Sequence, residues 1–253
     1  MARDRDRILD GRTALVTGGG RRLGRALVAV LARAGATVVV HHHTSREDAQ
    51  ATAAGVEVLG GRAFLVDGDL ADARVAAALC QRAADRCGSA LDILVNNAAR
   101  FAAGGATTTT AAEWDEQHVV NLRAPFLLAQ GFARQLAGDG PADIVNLNDL
   151  RALNPGADHF AYTVSKVGLH GLTRSLALAL APRVRVNELA LGAVLPPEAP
   201  PGGYVRTARD AIPLRRFPTP DDVVEALLYL LAAPGVTGQT LCVDGGQHLG
   251  PRT

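Results

Sequence analysis

Short apolar runs rich in Val, Leu and Ile alternate along this chain with longer alanine-rich stretches. That rhythm predicts β-α-β units around a parallel sheet, because strands covered on both faces are apolar throughout instead of alternating. Thr13–Thr17, Thr37–His41, Ala63–Val66, Leu91–Val95, Asp143–Leu147, Val184–Asn187 and Thr240–Val243 read as seven buried strands. Helices are expected over Leu23–Ala34, Ser45–Gly60, Ala71–Cys87, Ala112–Leu136, Ala161–Ala181 and Thr219–Leu231. Right-handed crossovers stack such units into a doubly wound sheet. The fold class is therefore α/β, with a seven-stranded parallel sheet flanked by helices in a single domain over residues 1–253. One long stretch, Gly192–Pro218, lacks a regular pattern and holds six of the 13 prolines. A long ordered loop inside such a domain is usually a lid or binding loop, and this one is expected to serve the substrate.

Composition narrows the function classes. The 253 residues are 48% hydrophobic and carry 26 basic against 25 acidic side chains, a net charge of +1. No global field draws such a chain to nucleic acid or an anionic membrane, so neither is expected as a partner. Cys80, Cys87 and Cys242 form no disulfide framework and no C-x-x-C spacing, and no apolar run has the length of a membrane span. A cytoplasmic location is expected. Of the 26 basic residues 25 are arginine, and the lone lysine is Lys166. Compositional bias explains the arginines but not the exception.

The first strand runs into Thr17-Gly18-Gly19-Gly20-Arg21-Arg22-Leu23-Gly24, followed by an apolar-periodic helix. Exposed amides and the positive end of a helix can hold a pyrophosphate there, as in Rossmann-type dinucleotide sites. Where the second strand ends, an acidic residue would hydrogen-bond the adenosine ribose and repel a 2′-phosphate. This chain instead reads His41-His42-His43-Thr44-Ser45-Arg46, with no carboxylate before Glu47. The hydroxyl and cationic donors of His43, Thr44, Ser45 and Arg46 favour NADPH over NADH. A metal on the three histidines is not expected, because consecutive strand residues point to opposite faces.

Tyr162 and Lys166 fall at i and i+4 of a helix and so share a face. An unperturbed phenol has a pKa near ~10, so a neighbouring ammonium that favours phenolate makes it a better acid/base at neutral pH. Lysine also has mobile donors for the nicotinamide ribose, a task the wide planar guanidinium serves badly. Pro125 removes the helical partner of the Asn121 carbonyl, which is then free to bind water.

Together these segments resemble the short-chain dehydrogenase/reductase family, over about residues 11–248. The glycine loop is similar to its T-G-x-x-x-[AG]-x-G pattern, with Arg22 where a small residue is common, as in the pteridine reductase subgroup. Asn96-Asn97-Ala98-Ala99 resembles N-N-A-G and Tyr162–Lys166 matches Y-x-x-x-K. The resemblance implies NADP(H) held by Gly18, Arg22, Leu23, Gly24, His43, Thr44, Ser45, Asp69, Leu70, Asn97, Ala98, Tyr162, Lys166, Gly192 and Val194. It implies catalysis by Tyr162, Lys166, Asp149 and Asn121, the last holding a water that links Lys166 to solvent. Asp149 stands thirteen residues before Tyr162, where most of the family has a serine that polarises a carbonyl and the pteridine reductases have aspartate. Phe101 matches a ring that stacks on the pterin in that subgroup, so Arg22, Phe101, Asp149 and Tyr162 are the expected substrate contacts. A homotetramer built on the helices near 112–136 and 161–181 is implied in the same way.

Three functions compete on this reading: an NADPH-dependent reductase of pterin-like rings, a carbonyl reductase of the 3-oxoacyl or general ketone type, and a dinucleotide-binding sensor without catalysis. The aspartate at 149 favours the first. It can share a proton with a phenol or position a water, but it is a poor hydrogen-bond donor to a ketone unless its pKa is raised. Its plain alternative is a turn-capping aspartate.

Overall fold

The computed structural model describes residues 7–136, 140–194, 209, 210 and 212–250. Seven strands form one sheet: β1 (Thr13–Val16), β2 (Thr37–His42), β3 (Ala63–Asp67), β4 (Ile93–Asn96), β5 (Ala142–Asp149), β6 (Val184–Leu191) and β7 (Thr240–Val243). Their order is β3-β2-β1-β4-β5-β6-β7, and every pairing is parallel. The chain winds outward from β1 to β3, then restarts at β4 on the other side of β1. The crevice at this reversal, outside the C-terminal strand ends, is where doubly wound sheets bind ligands.

Helices α1 (Arg22–Arg33), α2 (Arg46–Val58), α3 (Ala73–Cys87), α4 (Ala111–His118), α5 (Ala124–Gln135), α6 (Phe160–Leu180) and α7 (Pro220–Ala232) cover the sheet. Alternate strand residues feed two cores. Val16, Val38, Val40 and Val95 pack with Leu27, Leu31 and Leu227 of α1 and α7. Leu15, Val39, Leu94 and Ile144 pack with Leu79 of α3 and with Leu128 and Phe132 of α5. Each such fully buried side chain stabilises the fold by about 1.5–3 kcal/mol.

Two expectations change. The helix expected over 112–136 is two helices joined by a π turn at Val119–Arg123, where the Ala124 N–H reaches back five residues to the Val119 carbonyl. Pro125 has no N–H to give the Asn121 carbonyl, and the wide turn absorbs that break. Strand β6 runs four residues beyond Asn187, to Leu191, paired with β5 on one side and β7 on the other. The charge of Glu188 interrupts the apolar run in the sequence without interrupting the strand.

At the N-terminal edge of the sheet, Asp143 is 2% exposed and bridges Arg12 at 2.7 Å and Arg185 at 2.6 Å. Arg12 also donates to the Asp92 and Pro141 carbonyls, and Asp92 accepts the Thr13 N–H at 2.8 Å. The cluster clamps β1, β4, β5 and β6 in register. Removing one partner of so buried a pair costs about 3–5 kcal/mol.

Candidate active site

The glycine loop is held from three sides. Gly18 has φ +61°, and a Cβ on Gly24 would lie 2.2 Å from the Gly18 carbonyl oxygen, so α1 can sit on the loop only with glycine at 24. The Thr17 hydroxyl accepts the N–H groups of Asn97 at 2.9 Å and Ala98 at 3.0 Å. In return the Asn97 amide donates to the carbonyls of Thr17 and Gly18. The first turn of α1 carries no side-chain cap and no acidic residue, which leaves its amides for an anion.

His41 supplies the third hold, and sequence reasoning missed it. Its Nδ1 accepts the Gly18 N–H at 3.1 Å, so Nε2 carries the proton and donates to the Gly68 carbonyl at 3.0 Å. Burial lowers its pKa to about 4. The unfolded chain therefore binds a proton between pH ~6.5 and about 4 that the folded chain does not, and stability falls as pH drops through that window. The expected loss reaches about 3 kcal/mol. Urea unfolding at pH 7 and pH 4.5 should show this loss in the parent and not in His41→Gln; equal acid sensitivity would remove His41 as its cause.

Beside the loop lies a cavity of about 510 Å³ at the sheet's reversal point. Gly18, Arg22, Leu23, Gly24, His43, Thr44, Ser45, Asp69, Leu70, Asn97 and Ala98 all line it, as do Arg21, His42 and Arg100, which no motif singles out. Arg22 adopts φ +51°, a conformation that L side chains rarely hold. Asp69 comes from the β3 side, 4.0 Å from His43 Nδ1. Gly192 and Val194 sit at the end of β6, where the Gly192 N–H donates to Val243 O and the Val194 N–H to Gly192 O. Residues 195–208 and 211 of the expected substrate loop lie outside the described residues.

Further along the same edge, α6 faces the end of β5. Tyr162 donates its hydroxyl proton to Asp149 Oδ2 at 2.8 Å. The other oxygen of Asp149 accepts the Arg151 N–H at 2.8 Å, so one carboxylate both caps the turn after β5 and holds the phenol. Lys166 Nζ donates to the Leu147 carbonyl at 2.8 Å and stands 5.7 Å from the centre of the Tyr162 ring. The electrostatics differ from the expectation that Lys166 favours phenolate. Burial and then the Asp149 charge push the Tyr162 pKa well above its ordinary value, and the hydroxyl keeps its proton. Burial lowers Lys166 to about 8, against the pull of Asp149 and Glu188. The resting arrangement is a neutral acid, which can give a proton.

Asn121 is 1% exposed in the π turn. Its side-chain oxygen accepts the Arg100 N–H, and its amide donates to the Arg100 carbonyl and to Ser165 Oγ at 3.0 Å. The side chain is thus committed to joining the π turn to α6, and only its backbone carbonyl remains for a water.

Phe101 is 61% exposed. It stacks on His159 at 4.2 Å and meets Tyr162 edge-on at 4.7 Å. His159, with φ +49°, precedes α6 and contacts Asp158, which takes a two-pronged bond from Arg151. That guanidinium holds the Asp158 carboxyl far below the usual carboxylate range. His159, Arg151 and Asp158 carry no motif, which is why sequence reasoning passes over them. Aromatic rings, a phenol, a carboxylate and a buried amine thus meet beyond the end of β5, and none of Phe101, Asp149, His159, Tyr162 and Lys166 lines the cavity beside the glycine loop.

Comparison with known proteins bears on this geometry. A family model described as Enoyl-(Acyl carrier protein) reductase matches residues 20–248. The structure of FolM alternative dihydrofolate reductase 1 from Brucella canis, complexed with NADP, is similar with a TM-score of 0.90 and 36% identity, covering 98% of both chains. A short-chain dehydrogenase from Burkholderia cenocepacia J2315 in complex with NADP has a TM-score of 0.87 and 36% identity, over 94% of this chain and 98% of that one. A 3-oxoacyl-acyl-carrier-protein reductase of Staphylococcus aureus is 31% identical over 94% of this chain and 98% of its own.

Proposed function

Since the chain belongs to the short-chain dehydrogenase/reductase family, we propose that this NADP-dependent oxidoreductase reduces pterin-like rings, with dihydropterins and dihydrofolate as its substrate class. Its cofactor is NADP(H), and the residues present fit it: an uncapped helix start over Gly18, a cavity of about 510 Å³ and no carboxylate between His41 and Arg46. When bound, the nicotinamide supplies the hydride. Gly18, Arg22, Leu23 and Gly24 would hold the pyrophosphate, and His43, Thr44 and Ser45 the 2′-phosphate. Asp69 and Leu70 would meet the adenine, Asn97 and Ala98 the middle of the molecule, Tyr162 and Lys166 the nicotinamide ribose, and Gly192 and Val194 the carboxamide.

The observation that carries the ring substrate is the 2.8 Å bond between Tyr162 and Asp149. A carbon–nitrogen double bond that accepts hydride at carbon must gain a proton at nitrogen. Tyr162 holds that proton, Asp149 fixes its direction, and the Lys166 ammonium steadies the phenolate left behind. Phe101 offers its exposed ring to a flat substrate, with Arg22 at the polar edge. A ketone would develop negative charge on oxygen, and a carboxylate at 149 opposes that charge where a hydroxyl would bond to it. Reduction of a 3-oxoacyl group is the second reading, and the Staphylococcus aureus relative favours it. Exposed Phe126, Val167 and Leu178 on α5 and α6 support a homotetramer.

NADPH oxidation with dihydrobiopterin, dihydrofolate, an acetoacetyl thioester and simple ketones, with NADH as control, tests the proposal. Turnover of the thioester alone would end it. Asp149→Asn keeps the turn cap but loses the charge, and is expected to slow dihydropterin reduction by about 10–100-fold. NADPH affinity in that variant should stay within about two-fold, because Asp149 faces the substrate side.

A further inference from the structure

Behind Lys166 the protein buries a second carboxylate that the reaction above does not use. Glu188 is 0% exposed in the middle of β6, paired in register with Asn146 of β5. A charge in that position survives only with partners, and four side chains meet it. Oε1 accepts the Thr240 hydroxyl at 2.7 Å and faces His170 Nδ1. Oε2 accepts the Asn148 amide at 2.9 Å and lies 3.1 Å from the Thr173 hydroxyl, whose proton is shared with the Leu169 carbonyl.

Asn148 links this cluster to the chemistry. Its amide also donates to the Lys166 carbonyl at 3.2 Å. Three successive residues of β5 therefore grip the working face of α6: Leu147 takes the Lys166 ammonium, Asn148 the Lys166 backbone and Asp149 the Tyr162 hydroxyl. Glu188 anchors the middle grip from the far side. Lys166 feels the charge of two carboxylates, Asp149 at the end of β5 and Glu188 buried within β6.

We propose that Glu188 is a positioning residue: its carboxylate fixes Asn148, and with it the turn of α6 that carries Lys166, and supplies a rear negative charge that keeps Lys166 an ammonium. Burial pulls the Lys166 pKa down to about 8 while Asp149 and Glu188 resist. The charged and titratable groups around it are Asp149 from β5, Glu188 from β6 and Tyr162 on α6. Arg151 faces the Tyr162–Asp149 pair, and His170, one turn along α6, faces Glu188; the π turn contributes the neutral Asn121. The proposal rests on Lys166 as the partner of Tyr162 and not on which substrate is reduced.

The single lysine makes the test direct. In the full chain grown on carbon-13 lysine, one side-chain resonance reports Lys166, and its titration needs neither substrate nor turnover. The parent should titrate near pH 8. Glu188→Gln should lower the midpoint by at least about half a pH unit, a roughly three-fold weaker hold on the proton. Thr240→Val removes a hydrogen bond from the same carboxylate without a charge and should leave the midpoint in place. The alkaline limb of NADPH-dependent reduction should follow the resonance in each variant. A Glu188→Gln midpoint equal to the parent's, or an equal shift in Thr240→Val, overturns the proposal. If Glu188→Gln does not fold, Glu188→Asp decides: it keeps a carboxylate in β6 but draws the charge back by one methylene from Asn148, so the midpoint should fall, and an unmoved or higher midpoint overturns the idea. Failure of the pterin assays would leave these titrations unchanged.

Discussion

Replacing Tyr162 by phenylalanine is expected to lower kcat/KM by about 10³–10⁴-fold. The variant keeps the ring, which is 8% exposed and packed edge-on against Phe101, so folding should survive. What it loses is the hydroxyl whose proton now goes to Asp149 at 2.8 Å, the proton that the proposed reaction uses. Asp149 meets that hydroxyl as an acceptor, through the oxygen not tied to the Arg151 N–H. NADPH affinity should change little, because the loop and cavity that hold most of the cofactor are untouched. Single-turnover reduction with saturating NADPH measures the step itself. A fall smaller than about ten-fold would mean that the proton arrives by another route.

Lys166→Arg should cost about 10²–10³-fold in kcat/KM although the net charge is kept. At 4% exposure, with Nζ 2.8 Å from the Leu147 carbonyl, the position has room for an ammonium and not for a planar fork. The pH profile separates loss of shape from loss of charge. With a pKa of about 8, Lys166 is an ammonium below that pH and an amine above it, so the parent's kcat/KM should hold on the acid side and fall as pH rises through about 8. Arginine stays charged throughout, and the variant's lower rate should lack that limb. A Lys166→Arg enzyme as fast as the parent would make the lone lysine an accident of composition and the mechanism wrong.

Much of the fold is legible in the order of residues alone. Seven apolar runs correspond to seven strands because a parallel sheet needs residues that are apolar on both faces. Gly18, Gly24, Asn97, Tyr162 and Lys166 can be placed because backbone geometry and side-chain chemistry restrict such positions to few residue types. The reach of β6 is not legible, since the sequence shows the charge of Glu188 but not the four partners that let it remain in a strand. His41 is hidden for a related reason: it stands among three histidines, and only the approach of Gly18 and Gly68 singles it out. The protonated state of Tyr162 runs against its helical spacing, which shows that Lys166 is near, while the stronger influence, Asp149, comes from a strand. Arg151, Asp158 and His159 meet through the fold of one loop, and no periodicity announces such a meeting.

The Arg12–Asp143–Arg185 clamp has a consequence for how such a protein can change over generations. It fastens β1, β4, β5 and β6 at the edge opposite the cavity beside the glycine loop, using side chains that do not line that cavity. Register is thereby secured independently of the loops at the opposite edge. Those loops can be lengthened, shortened or recoded for a new ligand while the strands beneath them stay aligned. The same division tells an engineer where to put diversity and where to leave the gene alone: randomise the turns that leave the C-terminal strand ends, and keep the arginine–aspartate clamp fixed.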